Sequence, residues 1–503
     1  MAPSFEPLLA RMQELKDLAG AIGLLTWDQE TYLPSKGGEA RADQLSTLQA
    51  LHHERLVDAA LGSLLEDARG DASLTGDARA MVRVLTWERE RAVRVPESLV
   101  RELAQAQSRG LHAWHQARAE RRFAAFLPAL SRLLELRRAE ADAIGHPGGE
   151  RYDALLDAYE PGMKTARLRE VLEALESRLV PIARVLCEQP APRDWLTGDF
   201  PVAAQWRLCE QVLREMGFDL SAGRLDTSVH PFTGGTHPRD VRLTTRVDPR
   251  NLRQALFGAM HEGGHGLYEQ GFDEAHYRTP LAAAPSMGLH ESQSRLWENM
   301  VGRSHAFWRR YFPQVQAEFS AALGNADAGS VYRTVNQVTR SNIRVDADEV
   351  TYNLHIVLRF QLEVLLMRDA LPLEELPREW NERTERLIGV RPADDVEGVL
   401  QDIHWAYGEL GYFPTYALGN LYAASLFAAA RRELPGLDEA IEHGELSLIR
   451  EWLRRRVHAE GYRYPAEELV TRITGRGLTD ADFIDYLRTK YGEMYGLRWD
   501  SAS

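Results

Sequence analysis

The sequence predicts a mostly α-helical fold in one large domain, and three observations carry that prediction. Apolar residues recur every three or four positions over most of the 503 residues, the spacing that lays one stripe along a helix. Ala, Leu, Glu and Arg, all strong helix formers, crowd the segments between 38 and 145. Alternation with a period of two, the mark of a strand, is rare and stands out at "THPRDVRLTTRVDPRN", 236 to 251. With 44% hydrophobic and 27% charged residues, the chain has material for a sizeable core and is too polar to be embedded in a membrane.

The first helix carries its stripe at Leu8, Met12, Leu15, Leu18 and Ile22, and "LLTWDQETYLP" breaks the pattern, ending at Pro34. Helical periodicity resumes from 38, and the first 230 residues read as nearly all helix, punctuated at "GHPGGE", "YEPGM" and "EQPAPRDW". In the strand, Val241, Leu243, Thr245 and Val247 alternate with polar residues. Directly after it, Asp248-Pro249 reads as an N-cap followed by proline at the first helical position. Beyond 285 the chain is helical to its end, with an apolar segment from Val350 to Leu366 and a loop-like insert at 408 to 420. No repeat or flexible linker divides it. We therefore expect a single domain over 1–503, with a division into two lobes left open, and residues 1–34 beginning an N-terminal helical lid.

The net charge of −14, with no basic patch, argues against nucleic acid and anionic membrane partners. No stretch of about 18 apolar residues occurs that would span a bilayer. Two cysteines, Cys187 and Cys209, argue against a disulfide framework and fit a reducing compartment. The N-terminus lacks the continuous apolar core of a secretory signal, so the cytoplasm is the expected location.

Chemistry concentrates in "FGAMHEGGHGLYEQG", 257 to 271. On a helix His261 and His265 stand one turn apart on one face, about 6 Å between side-chain roots, so both reach one ion. Zinc accepts imidazole nitrogens and needs at least one more protein ligand in a catalytic site. Glu262 stands beside the pair, where a carboxylate can take a proton from water. Six of the sixteen histidines fall between 230 and 290, and Gly263-Gly264 cost the helix about 2 kcal/mol relative to alanines, which makes sense if backbone or substrate must approach closely. A longer motif with a third histidine at 271 is excluded, because Gly271 stands there. Glu269 lies about 12 Å along the axis from His261, too far to converge on the same ion. A third ligand must come from "MGLHESQSRLWENM", 287 to 300, and the spacing leaves His290, Glu291 and Glu298 open.

Several longer stretches then carry a family resemblance: "HPF" (230 to 232), "DVRLTT" (240 to 245), "HEGGH" (261 to 265), "HESQSR" (290 to 295), "IRVDAD" (343 to 348) and "GVLQDIHW" (398 to 405), with "WDQETYLP", "YDALLDAYEPGM" and "GYFPTYALGN" beside them. In this set and order the chain resembles the M32 metallocarboxypeptidases, the carboxypeptidase Taq family. The resemblance implies that His261, His265 and Glu291 hold a metal and that Glu262 is the general base. It implies a mostly α fold with a deep substrate groove, a small β-sheet next to the histidine helix, as in gluzincins, and a homodimer. An edge strand at 240 to 247 could pair with an extended peptide there.

The expected reaction is hydrolysis of the C-terminal peptide bond, with broad side-chain specificity, by metal-activated water with Glu262 as base. The expected partners are peptides with a free C-terminus. Zinc is the expected ion, and cobalt or manganese suits the same donors. Arg344 resembles the family's carboxylate anchor, its alternative use being an ion pair with Asp346 or Asp348. His404, Tyr412 and Tyr416 flank the insert after "QDIHW" and are candidates for stabilising an oxyanion. His230 and Arg242 are candidates for lining the groove. Two other readings stay open: an oligopeptidase that cuts internally, and a helical peptide-binding protein without catalysis.

Overall fold

Twenty-one α-helices and one three-stranded sheet make up the regular structure among residues 5–74 and 76–499, which the computed structural model describes. One contiguous core runs from Trp114 to Tyr491 and takes in the fully buried Tyr268, Trp297 and Trp308. The N-terminal helices close a second, smaller core of their own. In it Phe5, Leu8, Met12 and Leu15 pack with Leu61, Leu65, Val84 and Leu85, and Leu281 and Tyr462 join them from the main body. Each such side chain contributes about 1.5–3 kcal/mol by leaving water.

The first helix, Glu6–Thr31, runs through "LLTWDQET" without the break its pattern suggests. No proline or glycine interrupts that stretch, and the packing face turns instead from the small core to the sheet. Leu18 and Ile22 are only half-buried as a result. Trp27 is buried with the Arg242 guanidinium 4.2 Å over its ring, and the Tyr32 hydroxyl donates to Asp226 at 2.5 Å.

The sheet is larger than the sequence indicates. Its strands are β1 (Gly223–Thr227), β2 (Thr233–His237) and β3 (Asp240–Thr245), in the spatial order β1-β3-β2. β1 pairs parallel to β3, with Leu225 opposite Leu243, and β2 pairs antiparallel with a bulge between Gly235 and His237. "GRLDT" and "TGGTH" are too short and too poor in β-branched residues to announce themselves. The strand that does announce itself is therefore the middle one, and the edge facing the histidine helix is β2.

That helix spans Leu252–Gln270. Its N-cap is Asn251, whose side chain accepts from the Arg253 amide at 3.0 Å, and not Asp248. Asp248 and Pro249 form the preceding turn, where the Asp248 side chain accepts from the Arg250 amide and Pro249 O from the Phe200 amide. The insert at 408 to 420 also divides differently. After a short 3-10 turn at His404–Tyr407, helix resumes at Pro414 and runs to Glu433, with proline in the first turn where its missing N–H is harmless.

Candidate active site

Three helices converge on the chemistry: the histidine helix, a glutamate helix at Met287–Arg295, and the helix Pro414–Glu433 behind it. Glycine sets how closely they approach. A Cβ on Gly264 would lie 2.5 Å from the Gln293 carbonyl oxygen and 2.7 Å from Ser294 Cα, so the glutamate helix leans directly on that backbone. A Cβ on Gly419 would lie 2.5 Å from Glu291 Cγ. The glycine pair in the motif thus serves helix packing, since Gly263 is filled in by Leu213 and Met216.

The result is a three-donor cluster. Glu291 Oε2 sits 3.3 Å from His265 Nε2 and 3.6 Å from His261 Nε2, and the three donor atoms lie within 4.8 Å of one another. For ligands about 2.0–2.1 Å from a tetrahedral ion, the spacing between donors is about 3.3–3.4 Å. The donor chemistry fits as well. Burial, reinforced by the neighbouring His290, pushes His265 down to about 3, leaving a neutral imidazole with a free lone pair. Burial works against the Glu291 charge, yet Arg295 and His261 hold that carboxyl well below its usual range.

A second carboxylate orients the first imidazole. The glutamate helix widens into a π-turn over Leu296–Val301, an irregularity that concentrates at functional sites. Glu298 within it accepts from His261 Nδ1 at 3.0 Å, which directs Nε2 toward Glu291. Arg303 at 2.9 Å and Arg295 at 3.4 Å hold Glu298 in turn. Of the three residues the spacing left open, Glu291 faces both Nε2 atoms and Glu298 sits behind His261. His290 stacks on His265 at 4.3 Å while its Nε2 meets Glu269 at 2.9 Å.

Glu262 is buried at the foot of β2, where its Oε2 accepts from Thr233 Oγ1 at 2.7 Å. Burial raises its carboxyl above the ordinary range, against the opposing pull of His261 and Thr233. Thr233 was not legible in the sequence, because only the pairing of β2 brings it there.

At the far end of the glutamate helix, Arg295 donates to Glu291 at 2.6 Å and lies 4.6 Å over the Tyr352 ring. The Tyr352 hydroxyl accepts from Arg344 Nη1 at 3.0 Å. Arg344 is buried and pairs with Asp402 through Nε and Nη2, not with Asp346 or Asp348. Asp402 is shared with Arg359, which donates at 2.7 Å. His404 and Tyr416 meet at 3.3 Å, and the Tyr412 and Tyr416 rings lie 5.3 Å apart. Burial pushes His404 down to about 4, with Arg344 and Arg359 adding to the effect against Asp402. Arg344, His404, Tyr412 and Tyr416 therefore form one group.

The other two candidates stand apart. His230 is exposed on the loop before β2. Arg242 is engaged by Asp240 at 2.9 Å and by the Trp27 ring, so it ties the first helix to the sheet.

A family model described as carboxypeptidase Taq (M32) metallopeptidase matches residues 7–491. Thermostable carboxypeptidase 1 of Thermus thermophilus is 43% identical across 98% of this chain and 99% of its own length. The protein of the same name from Pyrococcus furiosus is 37% identical across 97% and 98%. Among solved structures, an M32 carboxypeptidase from Deinococcus radiodurans R1 superimposes with a TM-score of 0.96 at 40% identity, covering 98% of this chain and 100% of that one.

Proposed function

Since the chain belongs to the carboxypeptidase Taq (M32) family and is a metallocarboxypeptidase, we propose that His261, His265 and Glu291 hold its one divalent cation, with zinc the native ion and cobalt or manganese able to replace it. The observation that carries this is the donor spacing of 3.3 and 3.6 Å around Glu291 Oε2. When bound, such an ion supplies Lewis acidity, polarising a peptide carbonyl and making water acidic enough to attack near neutral pH.

The chain's own groups do the rest. Glu262 keeps one oxygen on Thr233, so its Oε1 is free to take a proton from the attacking water and pass it to the leaving nitrogen. Glu298 holds the His261 tautomer. Arg344 uses three of its five N–H groups on Asp402 and Tyr352, and the remaining two grip the substrate's terminal carboxylate. His404, Tyr412 and Tyr416 offer donors to the oxyanion on the same side. The start of β2, at Thr233 beside Glu262 and ahead of Gly235 and Thr236 where the first helix packs on its carbonyls, hydrogen-bonds the peptide backbone without asking for particular side chains. His230 and Arg242 take no direct part in this reading: the first is exposed on the loop before β2 and the second is held by Asp240 and Trp27.

Family resemblance supports a homodimer, which sedimentation would read. The free thiols of Cys187 and Cys209 suit the cytoplasm, and no helix among the described residues is long and apolar enough to cross a membrane. The oligopeptidase reading is separated by one experiment: a peptide panel with free and amidated C-termini, assayed beside metal content. Loss of nearly all turnover on amides, together with a raised KM for the free acids in Arg344→Lys, whose single ammonium cannot reproduce the two-pronged grip, supports the anchoring. Equal turnover on both refutes it.

A further inference from the structure

A cavity of about 740 Å³ opens beside the metal cluster. Its walls are the first helix, β2 and the N-terminal end of the glutamate helix, where Ser286, Met287 and His290 line it. His290 stacks on His265, so the cavity begins at the cluster. The Arg344 group lies at the opposite end of the glutamate helix, reached through Arg295 and Tyr352. With the terminal carboxylate at Arg344, the residues upstream of the scissile bond extend along β2 into this cavity.

The charges lining it are mostly spoken for. Asp17 pairs with Arg278 and Glu269 with His290. His237 accepts from the Arg239 amide through Nδ1 and packs edge-on against Tyr277. Two groups remain, Lys16 on the first helix and Glu88 on the helix Gly76–Arg94. Neither makes an ion pair or side-chain hydrogen bond among the described residues, and they do not pair with each other. Glu88 is carried on a rigid wall, because its neighbour Trp87 is fixed by a 2.7 Å hydrogen bond to Asp157. Burial lifts the Glu88 carboxyl above its ordinary range against the through-space pull of Lys16, as expected of a charge drawn out of water with no group in contact.

We propose that Glu88 is a selectivity residue of this groove, its carboxylate receiving an ammonium or guanidinium group that the substrate carries upstream of the scissile bond. An unpaired carboxylate facing a cavity gains a partner when such a cation enters, and partial removal from water makes that pairing stronger than at an open surface. Lys16 opposes the same cation from the facing helix and tempers the preference. The proposal rests on the Arg344 anchoring argued above.

The test uses acetylated tetrapeptides with free C-termini, with lysine or norleucine at each position in turn, and reads the lysine-to-norleucine ratio of kcat/KM. The ratio is taken within one enzyme, so an altered folded fraction cancels. At one upstream position the parent protein favours lysine about tenfold, equivalent to about 1.4 kcal/mol. Glu88→Gln brings that ratio near one, Glu88→Lys shifts the preference to glutamate, and Lys16→Met raises the lysine ratio. Glu90→Gln, half-buried on the same helix and paired with Arg94, leaves the ratio as in the parent. Removing the acetyl group distinguishes the two sources of the cation: a Glu88-dependent gain on unblocking assigns the role to the peptide's own terminal ammonium. A ratio that no Glu88 variant moves overturns the proposal. A Glu88-dependent preference at the C-terminal residue overturns it together with the Arg344 anchoring, since the peptide would then run the other way. Cleavage of amidated peptides as fast as free acids removes the anchoring alone.

Discussion

Gly419→Ala tests the metal cluster without touching a donor. The added Cβ would stand 2.5 Å from Glu291 Cγ and 2.8 Å from its Cβ, where ordinary contact begins at 3.4 Å. Something must yield by about 0.9 Å, more than the roughly 0.5 Å within which a catalytic constellation works. The helix bearing Gly419 is packed on its other faces by Leu418, Leu421 and Tyr422, all buried, so the Glu291 side chain gives way more readily than the backbone. We expect overpacking to cost about 1–3 kcal/mol of stability, and metal affinity to fall about 10- to 100-fold, as when an orienting partner is lost. Competition for the ion with a coloured chelator gives the affinity, and thermal melts with and without metal separate it from stability. In the parent, saturating metal raises the melting temperature markedly, and in the variant the increment shrinks. If Gly419→Ala binds metal and turns over peptide like the parent, the claim that this approach positions Glu291 is wrong.

Glu262→Gln should lower kcat by at least 10²- to 10⁴-fold while the protein still copurifies with stoichiometric metal; retained activity would remove Glu262 as the base. Glu298→Ala should weaken metal binding about 10- to 100-fold, because His261 loses the acceptor that holds its tautomer, and metal analysis after dialysis reads it. Glu160, whose side chain caps the glutamate helix through the Gly288 amide at 2.5 Å, is pushed up to about 8 by burial. Between the usual carboxyl range near 4.5 and pH 8 the folded chain keeps a proton that the unfolded chain releases, so stability declines as pH rises through this window, by at most about 1.4 kcal/mol per pH unit. Melting the parent and Glu160→Gln from pH 5 to 9 should show the slope in the parent and its reduction in the variant; parallel curves would contradict the shift.

Much of the fold is legible in the sequence. The helical stripes, the strand at 240 to 247 and the helix through 261 and 265 all follow from local periodicity. Packing settles the local contests: "LLTWDQET" stays helical because Trp27 finds the sheet, the cap falls to Asn251 over Asp248, and Pro414 begins a helix inside the loop-like insert. The site divides the same way. His261 and His265 share one helical turn, so their proximity is a matter of spacing. Glu298, seven residues from Glu291, could have been placed on the same face by the same reasoning, but its role as a partner of Nδ1 could not.

Chain-local information therefore specifies which residues stand on which face of each helix, because a rise of about 1.5 Å and 3.6 residues per turn leave little freedom within one element. It also names the donors that the histidine helix brings together. Only the packed molecule decides how elements meet. Thr233 reaches Glu262 through a strand too short to read, Asp402 takes Arg344 across more than fifty residues, and Gly264 and Gly419 let two helices close on Glu291. Those contacts depend on the shapes of facing surfaces, which no window of one chain contains.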